Sequence, residues 1–251
     1  MRGTLLEIRD MSVGVGDKLI LRDINLKINK GEIHVVMGPN GSGKSTLANS
    51  IMNHPKYILR KGSIFFEGND ITEDKVDERA RKGIFMSFQN PLEVAGITVG
   101  NFLRSAVFAR EGSRMSLVKF GREIGKQMEA LDMKPEYIDR YLNYGFSGGE
   151  KKKTEILQMR MLKPKLAILD ETDSGLDVDA VRIVSEGIQQ YKTEENSLLI
   201  ITHHREIIEQ IKPDFVHVII DGRIVKTGDA SLIDQIEEKG YGWLKEEVNQ
   251  Q

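Results

Sequence analysis

No cysteine occurs in the 251 residues. A disulfide is therefore excluded, and so is a thiolate ligand for zinc or for an iron–sulfur cluster. Neither sign of charge dominates: 36 Lys and Arg stand against 38 Asp and Glu, a formal net charge of -2. No global field then draws the chain to nucleic acid or to an anionic membrane. Long apolar runs are missing too; a stretch such as 218–220 falls far short of the ~20 residues that span a bilayer. The opening MRGTLLEIRD returns to charge at Glu7, before a signal-peptide core could form. There is no internal repeat and no low-complexity linker. The expectation is a cytoplasmic globular protein whose membrane role, if any, would need a partner.

What is present reads as two kinds of pattern. Near the start, residues 6–13 form a strand candidate, and Ile24, Leu26 and Ile28 alternate with polar residues, the period of a half-buried strand. An apolar run at 32–37 enters a Gly-rich turn, after which Leu47, Ala48, Ile51 and Met52 recur at helical spacing. Residues 62–68 and 83–88 are further strand candidates, with a loop and a surface helix between them. From about 98 to 144 strand signals fade, and Ile124, Met128 and Leu131 fit one helix face. Strands return at 165–169 and 197–201. The helix between them has Val181, Val184, Ile188 and Tyr191 on one face and Asp177 placed to cap it. Strand–helix–strand alternation implies a parallel sheet. Asp221-Gly222 sits inside an alternating stretch at 215–226, the signature of a hairpin. The expected fold is α/β: a mixed, mainly parallel sheet core, an N-terminal antiparallel β part and an inserted α-helical lobe. The expected division of the chain is a core at 1–90 and 162–230, the lobe at 91–161 and a helical tail at 231–251.

Gly38, Pro39, Asn40, Gly41, Ser42, Gly43, Lys44, Ser45 and Thr46 match G-x-x-x-x-G-K-[ST], with an apolar strand before and an amphipathic helix after. Glycines let successive N–H groups turn inward around phosphate oxygens. Lys44 supplies charge to the β and γ phosphates, Ser45 offers a hydroxyl to Mg²⁺, and the helix adds its positive end. The apolar run 166–169 ends in Asp170 and Glu171. Alone, such a pair could simply close a strand in a solvated turn. Beside a phosphate loop, Asp170 is placed to hold Mg²⁺ and Glu171 to position or deprotonate an attacking water. Ser147, Gly148, Gly149 and Glu150 read as a capping box, and with Lys151, Lys152 and Lys153 following, also as an anion receptor.

In this order these motifs resemble the ABC ATPase superfamily over nearly the whole chain. The resemblance implies ATP and Mg²⁺ as cofactors and two composite sites in a head-to-tail pair. In each, Ser147, Gly148 and Gly149 of one copy cap the γ-phosphate held by the other's phosphate loop. It implies that Gln89 senses Mg²⁺ and water, that Ser174-Gly175-Leu176-Asp177 is the D-loop, and that His203, rather than His204, contacts γ-phosphate. The expected catalytic set is thus Glu171, His203 and Gln89, and the metal set Ser45, Gln89 and Asp170.

Three departures stand out. Val13-Gly14-Val15-Gly16 lacks the aromatic that transporter ATPases stack on adenine. Thr172-Asp173 replaces the usual Pro-Thr, and Phe146 opens the signature. The stretches 83–91, 145–153, 169–177 and 239–244 resemble the SufC family, the ATPases of the SUF iron–sulfur cluster assembly machinery. That resemblance implies SufB-like and SufD-like scaffold proteins as partners and ATP-dependent homodimerisation, with no membrane insertion and no nucleic acid. A chain without cysteine is poorly equipped to hold an iron–sulfur cluster itself, in keeping with a purely mechanical role. The alternative is the nucleotide-binding subunit of a membrane importer.

Overall fold

The computed structural model describes residues 3–112, 116–171, 178–202 and 205–249. β1 (Thr4–Val15) and β2 (Lys18–Asn29) pair antiparallel. β3 (Ile33–Met37) leads into α1 (Lys44–Ile51), followed by β4 (Ile58–Phe66), β5 (Asn69–Asp70), α2 (Val76–Lys82) and β6 (Ile84–Met86). A lobe then carries β7 (Val94–Thr98), α3 (Val99–Glu111), α4 (Leu117–Glu129), a 3-10 turn (Pro135–Asp139), β8 (Tyr141–Leu142) and α5 (Gly148–Leu162). The chain returns through β9 (Leu166–Asp170), α6 (Val178–Tyr191), β10 (Ser197–Ile201), α7 (Arg205–Ile211), β11 (Phe215–Ile220) and β12 (Arg223–Gly228). It closes with α8 (Ser231–Lys239) and α9 (Gly242–Asn249).

Two sheets make the core. One is antiparallel, in the order β2-β1-β4-β5; the other is β12-β11-β3-β10-β9-β6, parallel except for β12. The central strands of the second are apolar almost throughout because both faces are covered. β3 sends Ile33, Val35 and Met37 into a cluster shared with α5 and α6, and Val36 into a cluster shared with α1 and the antiparallel sheet. The hairpin turn has φ 48° at Asp221 and 80° at Gly222, the positive pair that a two-residue turn requires.

Two expectations need correction. The strand expected at 62–68 begins at Ile58, and Gly62 lies inside it with φ +92°. A Cβ there would stand 2.4 Å from the Arg9 carbonyl oxygen, and β1 slips register opposite it. The glycine marks a bulge rather than a strand end. The helical lobe includes the strand pair β7–β8, with rungs Val94–Leu142 and Thr98–Tyr141, too short to show a period. The C-terminal tail is helical as read, in two helices that divide at Gly240, and Leu232, Ile233, Ile236 and Leu244 are buried against the core. Asp177, expected to cap α6, lies outside the described residues.

Two buried polar clusters hold the sheets in place. Arg79, 1% exposed, donates to the carbonyls of Ser50, Ile51, Ile71 and Thr72 through its terminal nitrogens and to Asp74 through Nε. The Ser50 and Ile51 carbonyls belong to the end of α1, where they lack helical partners and where a cation meets the negative end of the helix. Burial pushes the guanidinium down to about 10, so it stays charged at neutral pH.

The second cluster joins β3 to β11. His34 lies 3.0 Å through Nε2 from Glu32 Oε2 and 2.8 Å through Nδ1 from His217 Nε2; His217 Nδ1 lies 2.9 Å from Thr227 Oγ1. With Glu32 ionised, the chain runs one way. His34 donates to the carboxylate, His217 donates to His34, and Thr227 donates to His217, so every ring nitrogen is used with both rings neutral. Burial raises the Glu32 carboxyl, but hydrogen bonds from Asn29 and His34 outweigh it and hold it low. Burial lowers His34 despite Glu32, and burial together with His34 pushes His217 down to about 3.

A histidine held neutral in the fold takes up its proton on unfolding below the ordinary value of 6.5. Stability is therefore complete above that pH and is lost as pH falls towards the folded value, by about 1.4 kcal/mol per pH unit for each proton. Urea titrations between about pH 6.5 and pH 5 should show this slope, and His217→Gln should reduce it by about one proton. A wild-type slope of zero in that window would rule out the neutral pair.

Candidate active site

The strand ends converge on one edge of the parallel sheet. Ile201 of β10 is level with Val36 of β3 on one side and Asp170 of β9 on the other. The glycine loop after β3 and the acidic pair after β9 thus leave the sheet side by side. Gly38, Gly41 and Gly43 take φ of +151°, +77° and +111°. A Cβ on Gly38 would lie 2.1 Å from the Ile219 carbonyl oxygen, so the loop is pressed against the end of β11. The hairpin turn locks it from the same side: Gly222 N donates to Ser42 O at 3.0 Å and Arg22 N to Gly222 O at 2.8 Å. The tail reaches it as well. Burial raises the Tyr241 phenol, and a hydrogen bond from the backbone of Gly38 pulls it back. No sequence pattern announced that contact.

Lys44 is buried at the start of α1 and donates to Gly38 O at 2.9 Å and Pro39 O at 3.1 Å. Burial lowers its ammonium, and the carboxylates of Glu171 and Asp170 oppose the shift. Ser45 Oγ donates to Asp170 Oδ1 at 3.2 Å. Asp170 is buried, which raises its carboxyl; Ser45 lowers it, Glu171 raises it further, and Lys152 and Lys44 lower it. Glu171 N donates to Ile201 O at 2.9 Å with φ 47°. The left-handed turn takes the Glu171 carboxylate away from that of its neighbour, and it accepts from Gln89 Nε2 at 2.5 Å. Gln89, Lys44, Ser45, Asp170 and Glu171, predicted separately, are therefore brought to one place. His203 and the stretch Ser174–Asp177 lie outside the described residues.

Does this set fit a nucleotide and a divalent cation? Ser42 Oγ is buried with no partner among the described residues, a hydroxyl that an added acceptor could use. The donor set of Ser45 hydroxyl, Asp170 carboxylate and Gln89 amide is all oxygen, which suits Mg²⁺. The loop offers backbone N–H groups and one ammonium, which suits a polyphosphate.

Ser147 starts α5 some way from this edge. The capping box is as expected: Glu150 N donates to Ser147 Oγ at 3.3 Å and Ser147 N to Glu150 Oε2 at 2.7 Å. The Tyr137 hydroxyl donates to the other Glu150 oxygen. Ser147, Gly149, Glu150 and Tyr137 line a cleft of about 330 Å³ to which no residue of 38–46 contributes. The lysines after it have carboxylate partners: Lys151 pairs with Glu93 at 2.8 Å, Lys152 with Glu155 at 3.2 Å and Lys153 with Asp132 at 3.8 Å. Of the three, only Lys152 is buried, so it alone faces the protein interior.

Comparison with known proteins bears on this geometry. The family model described as ABC transporter matches residues 21–174. The chain belongs to the ABC transporter family of ATPases. It is an ATP-binding protein that hydrolyses ATP. It is 52% identical to "Vegetative protein 296" of Bacillus subtilis (strain 168), over 99% of this chain and 96% of the relative. It is 47% identical to the "Probable ATP-dependent transporter ycf16" of Pyropia yezoensis, over 97% and 99%. The fold matches a solved ATP-binding subunit of an ABC transporter with a TM-score of 0.80, covering 98% of this chain and 99% of that one at 24% identity. The α/β architecture read from the sequence is thus that of an ABC ATPase, and among the described residues no helix is long and apolar enough to cross a membrane.

Replacing Gly38 by Ala would push a methyl into the Ile219 carbonyl and strain φ. We expect Gly38→Ala to lose roughly 1–3 kcal/mol, read as a lowered thermal midpoint; an unchanged midpoint would mean the loop is not seated on β11.

Proposed function

We propose that the chain is the ATPase subunit of a SUF-type iron–sulfur cluster assembly machine, driving SufB-like and SufD-like scaffold proteins by ATP-dependent pairing. The observation that carries the pairing is the division of the site. The phosphate loop with Asp170 and Glu171 lies at the sheet edge, whereas Ser147 lines a separate cleft. A phosphate held by one copy's loop would meet Ser147, Gly148 and Gly149 of a second copy. Within each half, Gly38 to Thr46 grip the triphosphate, and Ser45, Gln89 and Asp170 hold Mg²⁺, which supplies charge neutralisation at the phosphates. Glu171 would orient the attacking water with Gln89 at its side, and the family resemblance assigns the γ-phosphate contact to His203. In phosphoryl transfer positioning of this kind outweighs basicity.

The scaffold reading is supported by the stretches 83–91, 145–153, 169–177 and 239–244. It is also supported by an apolar groove of about 360 Å³ between core and lobe, lined by Met52, Phe85, Phe88, Phe102 and Ala106 beside the Gln loop. Such a groove suits a docking segment of a partner protein. The core at 1–90 and 162–230 would then hold nucleotide, while the lobe at 91–161 carries both the groove wall and Ser147. The second reading, an importer's nucleotide-binding subunit, is favoured by several relatives described as a probable ATP-dependent transporter or a probable ABC transporter ATP-binding protein. Native co-purification separates the two: soluble scaffold proteins support the first, and a membrane-spanning permease would replace it.

Two substitutions test the shared site. Glu171→Gln should retain ATP binding, lose on the order of a hundredfold in hydrolysis and accumulate paired copies in light scattering. Wild-type turnover would remove Glu171 from its role. Ser147→Asp keeps a good helix cap but sets a carboxylate against the neighbour's phosphate. It should melt like wild type and fail to pair with ATP; normal pairing would displace Ser147 from the interface.

A further inference from the structure

Lys152 and Glu155 face inward from α5, each 4% exposed. Glu155 Oε1 accepts from Phe88 N at 2.7 Å, and its other oxygen accepts from Lys152 Nζ at 3.2 Å. The same ammonium donates to Phe88 O at 2.7 Å and Gln89 O at 3.1 Å. All three ammonium donors are used. The two carbonyls belong to the peptide groups on either side of the Gln89 Cα, so both planes that orient its side chain are tied to α5. Gln89 then reaches Glu171 at 2.5 Å. Around this grip the loop is open, with Phe88 53% and Leu92 79% exposed.

Burying two charges is a poor way to stabilise a helix, because desolvation consumes most of the attraction between them and well-packed apolar residues do as well or better. Burial indeed raises the Glu155 carboxyl, although Lys152 and the Phe88 N–H pull it back. What apolar residues could not do is hold a loop backbone by its N–H and its carbonyls. We propose that the Lys152–Glu155 pair is the positioning device of the Gln loop, fixing Gln89 against Glu171 from the helix that Ser147 begins. The device makes α5 a rod with a task at each end: Ser147 for the neighbour's nucleotide and Gln89 for the chain's own.

The proposal rests on the reading of Gln89 and Glu171 as hydrolytic residues, and the test separates the two. Steady-state hydrolysis by the full chain is measured at varied MgATP for Gln89→Ala, Lys152→Met and the double variant. Lys152→Met should lower kcat on the order of tenfold or more, with KM for ATP little changed because the phosphate loop is untouched. Joined with Gln89→Ala it should add nothing, since both act through one contact. Losses that multiply, or wild-type kcat in Lys152→Met, overturn the proposal. If Gln89→Ala itself turns over like wild type, the hydrolytic reading fails and the inference falls with it. Where Lys152→Met leaves Glu155 unpaired and does not fold, the charge-free double variant Lys152→Met with Glu155→Leu takes its place. It should match or exceed wild-type stability and still lose kcat, a separation that a merely structural pair would not produce; a retained kcat overturns the proposal.

Discussion

The parallel register of β3, β10 and β9 is the constraint on which the site depends. Because Ile201 stands level with both Val36 and Asp170, the chain leaves the sheet at the same height in two places. The glycine loop and the acidic pair are then neighbours without any residue of the turns having to bring them together. The Ser45–Asp170 hydrogen bond is the visible result. A shift of one residue in either pairing would send Asp170 to the opposite face and break that contact.

Around that edge, the loops are held by polar groups placed where the strands end. Arg79 collects carbonyls from the end of α1 and from the segment after β5, His34 and His217 bridge β3 to β11, and Lys152 with Glu155 grips the Gln loop. Each cluster satisfies nearly all of its hydrogen-bonding capacity, the condition under which buried polar groups specify one arrangement instead of weakening the fold. Each joins segments far apart in sequence. The backbone that Arg79 and the Lys152–Glu155 pair hold is loop or helix end, where the ladder hydrogen bonds of the sheet are no longer on offer, whereas His34 and His217 join two strands side chain to side chain.

The consequence for function is a divided molecule. The phosphate loop is wedged between the end of β11, the hairpin turn and the tail, and has little freedom. The half that would close on a neighbour begins α5, on a lobe whose own contacts to the core run through the Gln loop and the helices beneath it. ATP hydrolysis in this family fits that division, since a nucleotide bound at the sheet edge of one copy lies apart from the same copy's Ser147 cleft.

Sequence alone settled whatever depends on local pattern. The glycine loop, the capping box at Ser147, the hairpin at Asp221-Gly222 and the buried strand before Asp170 each announce themselves within a dozen residues, because turns, caps and strand periods are short-range physics. It also placed Glu171 from the acidic pair that ends a buried strand, and Gln89 through resemblance. Tertiary structure decided which of these meet. It gave the lysines after Ser147 their carboxylate partners, moved a strand boundary past Gly62 and folded the helical tail onto the core. It also brought Tyr241 to Gly38, a contact that no spacing implies. The common reason is that tertiary packing sets partners that local pattern does not reveal: Lys151 meets Glu93 across 58 residues, and Tyr241 meets Gly38 from the far end of the chain.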